Sequence, residues 1–474
     1  MQFKSWSAAL LLTGLFVAPL SAQNIDTKLA NALQHTLDSM RSVLNVKSLG
    51  AALHLPDGNT WAGANGISSV APLDSVTPEH TYAIGSVTKT LTSACVLQLA
   101  EEGLLSLNDS LHQWLDTFQY INPNITIRQL LRHQSGIYDI LGNSAFQPFM
   151  LQNYSELYSP EFGIKTFGKP SVFQAGSAWS YCNTNYMLLA MIIEKATGKP
   201  YYTEIQKRFL IPLGLNSVTL PPFEPLPEKI AHLWLDINGD GVRDDAHDFF
   251  SNWNSMFSVI YPSGSYFATP RDMAIWINAL MGSDSIVSPA TKAQMLTLVN
   301  TNLAANTKYG LGIMERNFGS YKAYGHGGDL SYSALVYYFP TEKVSISVLT
   351  NDSKNISWTL APVVSALLKT YVDCKAMMTN TTAAALPESA VSVSPNPFTD
   401  KLQVKIELPN SVESLTLALS DFQGKTILME QYDAVGSGAH AFELALPGAS
   451  PAGSYLLQVM VDGQVVAAKT VVRS

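Results

Sequence analysis

Cysteine is nearly missing: the 474 residues include three, Cys95, Cys182 and Cys374. That excludes a disulfide framework, so core packing must hold the fold. Charge is also sparse, at 14% of residues, with 37 acidic against 29 basic side chains and a formal net charge of -8. No basic field is present to hold nucleic acid, and a polyanionic substrate does not suit such a surface. After the N-terminus there is no apolar run long enough to span a bilayer. The N-terminus itself reads Met1-Gln-Phe-Lys4, an apolar run from Ala8 to Leu20, then Ser21-Ala22-Gln23. A short positive region, an apolar core shorter than a membrane span and a small residue at the cleavage point predict an export signal over residues 1–22. The mature protein then has no transmembrane span.

Hydrophobic residues are abundant, at 47%, enough for one large domain and at least one smaller one. Apolar residues at Leu29, Leu33, Leu37, Met40 and Leu44 predict a first helix over 26–44. Strands are expected at 48–55 and 60–63 around the turn Pro56-Asp57-Gly58. From Tyr82 to Gly103, Val87, Leu91, Ala94 and Cys95 fall at helical spacing, and Val96, Leu97, Leu99 and Ala100 widen the stripe. Ser86 therefore opens a mostly buried helix that ends near Gly103. Lys89 lies one turn on, so its amine can reach the Ser86 hydroxyl. A serine needs a neighbour to take its proton, and a lysine can do so only where desolvation or nearby cations keep it neutral. The plainer alternative is a serine cap followed by a solvated lysine. No other Ser-x-x-Lys occurs in the chain.

Two further motifs follow in order. Tyr181-Cys182-Asn183 stands in a loop just before an apolar helix that ends at Gly198, a place from which side chains can project rigidly into a cleft. Tyr324-Gly325-His326-Gly327-Gly328-Asp329 precedes two β-rich runs, 331–339 and 344–350, expected as an antiparallel hairpin. Gly327 and Gly328 could line an extended substrate, or could form a plain turn. Residues 126–133 read as a short helix closed by Ser135-Gly136; His133 at its end could be catalytic, but a histidine there ordinarily satisfies the last carbonyls. Cys182, small and neutral, is expected to fit its place as an inert residue, the alternative being a reactive thiol.

Asp236, Asn238, Asp240 and Asp244 stand at the first, third, fifth and ninth places of a calcium-type loop with Gly241 at the sixth, but His247 occupies the twelfth place. The alternatives are a structural calcium and a polar hairpin turn. Residues 375–390 are small, polar and unpatterned, as in a linker. Beyond it, short alternating runs at 402–408, 415–419, 441–446, 455–461 and 465–472 indicate a β-sandwich of about 80 residues with no catalytic constellation.

Together, Ser86-Val-Thr-Lys89, Tyr181-Cys-Asn183 and His326-Gly-Gly328 resemble the serine β-lactamase and penicillin-binding superfamily, in the branch of class C β-lactamases, D-stereospecific peptidases and esterases. Leu130-Leu-Arg-His-Gln-Ser-Gly136 and Ala268-Thr-Pro-Arg-Asp-Met-Ala-Ile-Trp276 support the likeness, which covers roughly residues 25 to 372. It implies an α+β fold: an antiparallel sheet flanked by helices plus an all-helical region, over residues 23–374. It also implies an acyl-enzyme on Ser86, with Lys89 and Tyr181 sharing proton transfer. Asn183 and His326 would bind substrate beside Gly327 and Gly328, and the backbone N–H groups of Ser86 and Asp329 would form the oxyanion hole. No cofactor is required for such chemistry. Where the lactamases carry a lysine stands His326, which can be neutral. That favours a D-Ala-D-Ala carboxypeptidase, D-peptidase or esterase acting on a small-molecule or peptide substrate. A class C-like β-lactamase, or a silent penicillin- or muropeptide-binding protein, is the alternative.

The region 391–474, with Ser394-Pro-Asn-Pro-Phe398, resembles the C-terminal sorting domain of the type IX secretion system. This implies that machinery as a partner and a secreted or cell-surface location.

Overall fold

A computed structural model describes residues 25–303, 306–353, 357–380, 386–421, 425–446, 450–461 and 464–474. The expected export signal and part of the expected linker lie outside the described residues. The chain divides into two compact units, up to Leu368 and from Lys369. Among the described residues no helix is long and apolar enough to cross a membrane.

The first unit is built on an antiparallel sheet. Its strands are β1 (Ser48–His54), β2 (Thr60–Val70), β3 (Leu73–Ser75), β4 (Val299–Asn300), β5 (Lys308–Tyr309), β6 (Met314–Phe318), β7 (Tyr321–Leu330), β8 (Tyr332–Phe339) and β9 (Val344–Thr350). They run in the order β3-β2-β1-β9-β8-β7-β6-β5-β4, so the two ends of the unit's sequence meet at the β1–β9 pair. β8 and β9 are buried at every position, as expected of strands covered on both faces.

The helix α1 (Thr27–Leu44) is capped by the Asp26 carboxylate and turns Leu29, Leu33 and Leu37 inward. Side chains alternate between faces along a strand. Gly63 faces Gln34 of α1, whereas Gly50, one register step away, faces Pro270 of the helix Pro270–Ile277. The two helices therefore cover opposite faces.

A second, all-helical region contains α2 (Thr88–Glu101), α3 (Asn183–Thr197) and α4 (Asn254–Gly264), which pack on one another. Eleven of the fourteen residues of α2 are buried, polar ones included. Gly85, at φ +51, makes the turn into it, and Gly85–Val87 form a single 3-10 turn before Thr88. Ser86 thus stands on that opening turn, just ahead of the α-helix proper.

In the second unit, one sheet joins Val391–Ser394, Lys401–Leu408 and Gly438–Ala445. The other joins Thr426–Val435, Val412–Asp421, Gly453–Val461 and Gln464–Arg473. Lys401–Leu408 alternates exposed and buried without a break. Its Leu402, Val404 and Ile406 share one core with Leu417, Leu457 and Val459 of the other sheet, which makes the unit a β-sandwich. A helix over Ala361–Asn380 runs past the expected start of the linker at 375.

Candidate active site

The site lies where the start of α2, the loop before α3, the end of α4 and strand β7 converge. α2 presents Lys89, which is fully buried. Its Nζ lies 2.9 Å from the Ser86 Oγ and donates to the Asn183 Oδ1 at 2.7 Å and to the Ser263 carbonyl at 2.7 Å. The Ser263 carbonyl is free because α4 ends at Gly264 and the last carbonyls of a helix have no partner within it. The Pro262 carbonyl is used in the same way, by Thr92 Oγ1 at 2.7 Å, one turn after Lys89.

This arrangement suits a neutral amine. Two N–H groups serve two fixed acceptors, and the lone pair is left for the Ser86 hydroxyl. Burial, against the raising influence of Asp139 and Cys182, brings the Lys89 amine down to about 7. The desolvated amine is thereby biased toward its neutral form.

Asp139 has no counterpart among the residues the motifs single out. Its Oδ2 accepts from the Asn183 backbone N–H at 3.1 Å and from the Asn183 Nδ2 at 2.8 Å. Burial pushes its carboxyl up, against these donors. The double contact settles which way the Asn183 amide points, with oxygen toward Lys89. Asn183 is also the first residue of α3 and not a loop residue. Although expected as a substrate ligand, it has both ends of its amide engaged by Lys89 and Asp139.

The Tyr181 ring lies 4.9 Å from the Lys89 Nζ. Its hydroxyl is buried and has no hydrogen-bond partner among the described residues, though Ser86 is near enough to bear on its acidity. Burial above all holds that hydroxyl well above the ordinary tyrosine range. A phenol so held keeps its proton at neutral pH. Burial likewise pushes the Cys182 thiol up, so it carries no thiolate character.

His326, Gly327 and Gly328 lie inside β7, not in a turn. His326 is fully buried. Its Nδ1 donates to the Gly327 carbonyl at 2.5 Å, and its Nε2 accepts from the Tyr309 hydroxyl at 3.0 Å, a tautomer assigned from these partners. Burial, then the nearby Lys89, hold its ring down to about 3. It is a neutral wall of the cleft.

The glycines act through the backbone. A Cβ on Gly328 would strike the Ile84 carbonyl oxygen and lie 3.0 Å from the Ser86 nitrogen; one on Gly85 would lie 2.5 Å from the Asp329 nitrogen. Gly328 therefore permits close approach of β7 to the α2 turn, and it is Gly327 that lines the cleft. This approach sets the Ser86 and Asp329 nitrogens near one another at the opening of α2. The Asp329 carboxylate is tied back by the Ser333 Oγ at 3.1 Å and by the Ser357 N–H and Oγ at 2.6 and 2.8 Å. Pairing of β7 with β6 stops at Gly325.

The cleft is about 250 Å³ and opens on Ser86. Leu141, Ile260, Leu303, Met314, Leu330 and Trp358 give it an apolar lining, and no lysine or arginine is among its wall residues that belong to the described residues.

Asp236, Asn238, Asp240 and Asp244 lie elsewhere. The segment is a hairpin turn closed by the two-residue strands Trp234–Leu235 and Asp244–Asp245. The Asp236 carboxylate accepts from the Gly239 and Gly241 N–H groups at 2.7 and 2.9 Å, and Asp240 accepts from the Val242 N–H at 2.7 Å. Among the described residues no group of three His, Cys, Asp or Glu is gathered as a metal ion needs. Backbone N–H groups thus meet oxygens of Asp236, Asn238 and Asp240 within this turn.

A family model described as Beta-lactamase matches residues 29–359, and one described as a secretion system C-terminal sorting domain matches 392–473. A penicillin-binding protein of Bacillus subtilis (strain 168) is 25% identical over 290 residues, 58% of this chain and 62% of that protein. A D-aminopeptidase of Brucella anthropi is 28% identical over 287 residues, 59% of this chain and 51% of the other. The chain spans about three-fifths of the length of the first of these relatives. Among solved structures, a D-stereospecific amidohydrolase from Streptomyces sp. matches with a TM-score of 0.58 at 27% identity, covering 68% of this chain and 94% of that one.

Proposed function

Because the chain belongs to the Beta-lactamase family through residues 29–359 and ends in a secretion system C-terminal sorting domain, we propose that it is an exported serine hydrolase cleaving amide or ester bonds through an acyl-enzyme on Ser86. The observation that carries this is the Lys89 amine, fully buried and 2.9 Å from the Ser86 Oγ, with two other acceptors consuming its N–H groups. Lys89 takes the hydroxyl proton as Ser86 attacks the carbonyl carbon. The oxyanion that forms is held by the Ser86 and Asp329 N–H groups. The Tyr181 hydroxyl, resupplied by Lys89, protonates the leaving group, and water then releases the acid.

The lining supports a substrate class. With His326 neutral and no cation among the described residues of the cleft wall, a terminal carboxylate finds no partner among them, while apolar acyl groups are well accommodated. We therefore favour a D-aminoacyl amide, D-peptide or small ester over a D-Ala-D-Ala terminus or a β-lactam. The names of the Brucella anthropi and Streptomyces relatives point the same way.

The test is a hydrolysis panel of a D-aminoacyl anilide, p-nitrophenyl acetate, a D-Ala-D-Ala peptide and nitrocefin, with Ser86→Ala as control. Turnover of the first two, lost in Ser86→Ala, is expected. Binding of muropeptide with no turnover of any substrate would establish a silent receptor in its place.

A further inference from the structure

His133 lies outside the proposed chemistry, yet it grips Tyr181 at three points. Its carbonyl accepts from the Ser180 N–H at 3.1 Å. Its Nδ1 accepts from the Cys182 N–H at 3.1 Å. Between them, its ring lies against the Tyr181 ring with centroids 4.4 Å apart and planes at 35°. The backbone N–H groups of the residues before and after Tyr181, and the phenol ring itself, are thus held by one residue. His133 is fully buried and takes φ +60, a left-handed conformation uncommon for a residue with a side chain and one that clusters where function requires it. That conformation lets the carbonyl and the ring act on the same segment. With Nδ1 accepting, the proton is on Nε2, which has no hydrogen-bond partner among the described residues. Around the ring stand Tyr186 at 5.3 Å, Tyr309 at 4.7 Å and Trp179 at 5.9 Å. A helix-end histidine serving the last carbonyls, as expected from the sequence, would not be placed this way.

We infer that His133 is a positioning residue for Tyr181, holding the phenol beside Ser86 and Lys89 so that its hydroxyl can protonate the leaving group. An imidazole is suited to this, since it is flat enough to stack on a phenol and also accepts an N–H in its own plane. The inference rests on the proposed role of Tyr181.

The consequence is selective by leaving group. An amide nitrogen must be protonated as it departs, whereas a p-nitrophenolate leaves without a proton. In the full-length protein, His133→Phe keeps a ring to stack but loses the acceptor for the Cys182 N–H. Its kcat on a D-aminoacyl anilide, divided by that on p-nitrophenyl acetate, should fall by about 10- to 100-fold, within the range a general acid contributes. KM for the anilide should stay put. His133→Asn, which tolerates positive φ and offers an acceptor oxygen, should recover part of the ratio. Tyr181→Phe should lower it at least as far. Equal losses on both substrates, or an unchanged ratio in a folded His133→Phe, would overturn the inference. Failure of wild type to turn over either substrate would instead strike at the proposed hydrolase activity on which the inference rests.

Discussion

At the residue scale, the account turns on how a lysine is kept neutral beside a serine. Lys89 is surrounded by oxygen acceptors that are all uncharged except Asp139, which reaches it only through Asn183. Direct contact with a carboxylate would stabilise the ammonium and keep the base protonated. Interposing an amide keeps the geometry while softening that pull. Asp139→Ala frees the Asn183 amide to rotate and present its NH2 to the amine. We predict a loss in kcat/KM on the order of 100-fold, the cost of misplacing a reacting group by about 1 Å, measured on whichever ester or anilide wild type cleaves. An unchanged kcat/KM would remove Asp139 from the site. Ser86, Lys89, Tyr181, Asn183 and His326 could be nominated from the sequence because each sits in a compact local pattern. Asp139 and the Ser263 carbonyl could not, since they reach their partners across 44 and 174 residues and no spacing rule records such contacts.

At the scale of elements, the meeting of β7 with the α2 turn is a contact of backbone on backbone. Gly328 has no room for a side chain against Ile84. Gly328→Ala must push β7 away and spoil the alignment of the Ser86 and Asp329 N–H groups. We predict a fall in kcat of about 100-fold or more, the effect of losing an oxyanion donor, in a protein that still unfolds cooperatively on heating. Full activity in Gly328→Ala would contradict this placement of the oxyanion hole. The glycine pair was visible in the sequence, but its purpose was not, because a turn, a substrate edge and a close crossing all favour the same residue. The first helix and the 332–350 hairpin were legible from periodicity alone. β2 runs to Val70, past the expected end at Gly63, since Gly63 and Gly66 mark packing against Gln34 and against the Lys47 backbone within the strand. Thr426–Val435 escaped notice because none of its residues is buried and it carries Glu430 and Asp433, leaving little apolar alternation in the sequence to detect.

At the scale of the whole molecule, the two units divide the labour. Every cleft residue belongs to the first, whereas the second has a core of its own and matches the sorting domain. A chain ending at Ala390 should therefore keep its kcat/KM in a cell extract but fail to reach the cell exterior, as measured by activity in separated fractions. Loss of hydrolysis on truncation would show that the sandwich contributes to the site. The two-part organisation was readable because a change in composition and in hydrophobic period marks the join. The helix running to Asn380 blurs its position, since Ala, Met and Lys in that stretch are good helix formers as well as ordinary linker residues.

The central claim, that neutral Lys89 activates Ser86, is tested most directly by the rate at which a fluorophosphonate acylates Ser86 across about pH 5 to 9. Protonated Lys89 cannot accept the hydroxyl proton, so the rate should climb about tenfold per pH unit at the acid end. It should bend near pH 7, where the buried amine titrates, and level off above. A rate independent of pH, or one still climbing toward the ordinary lysine value of about 10.4, would contradict the account.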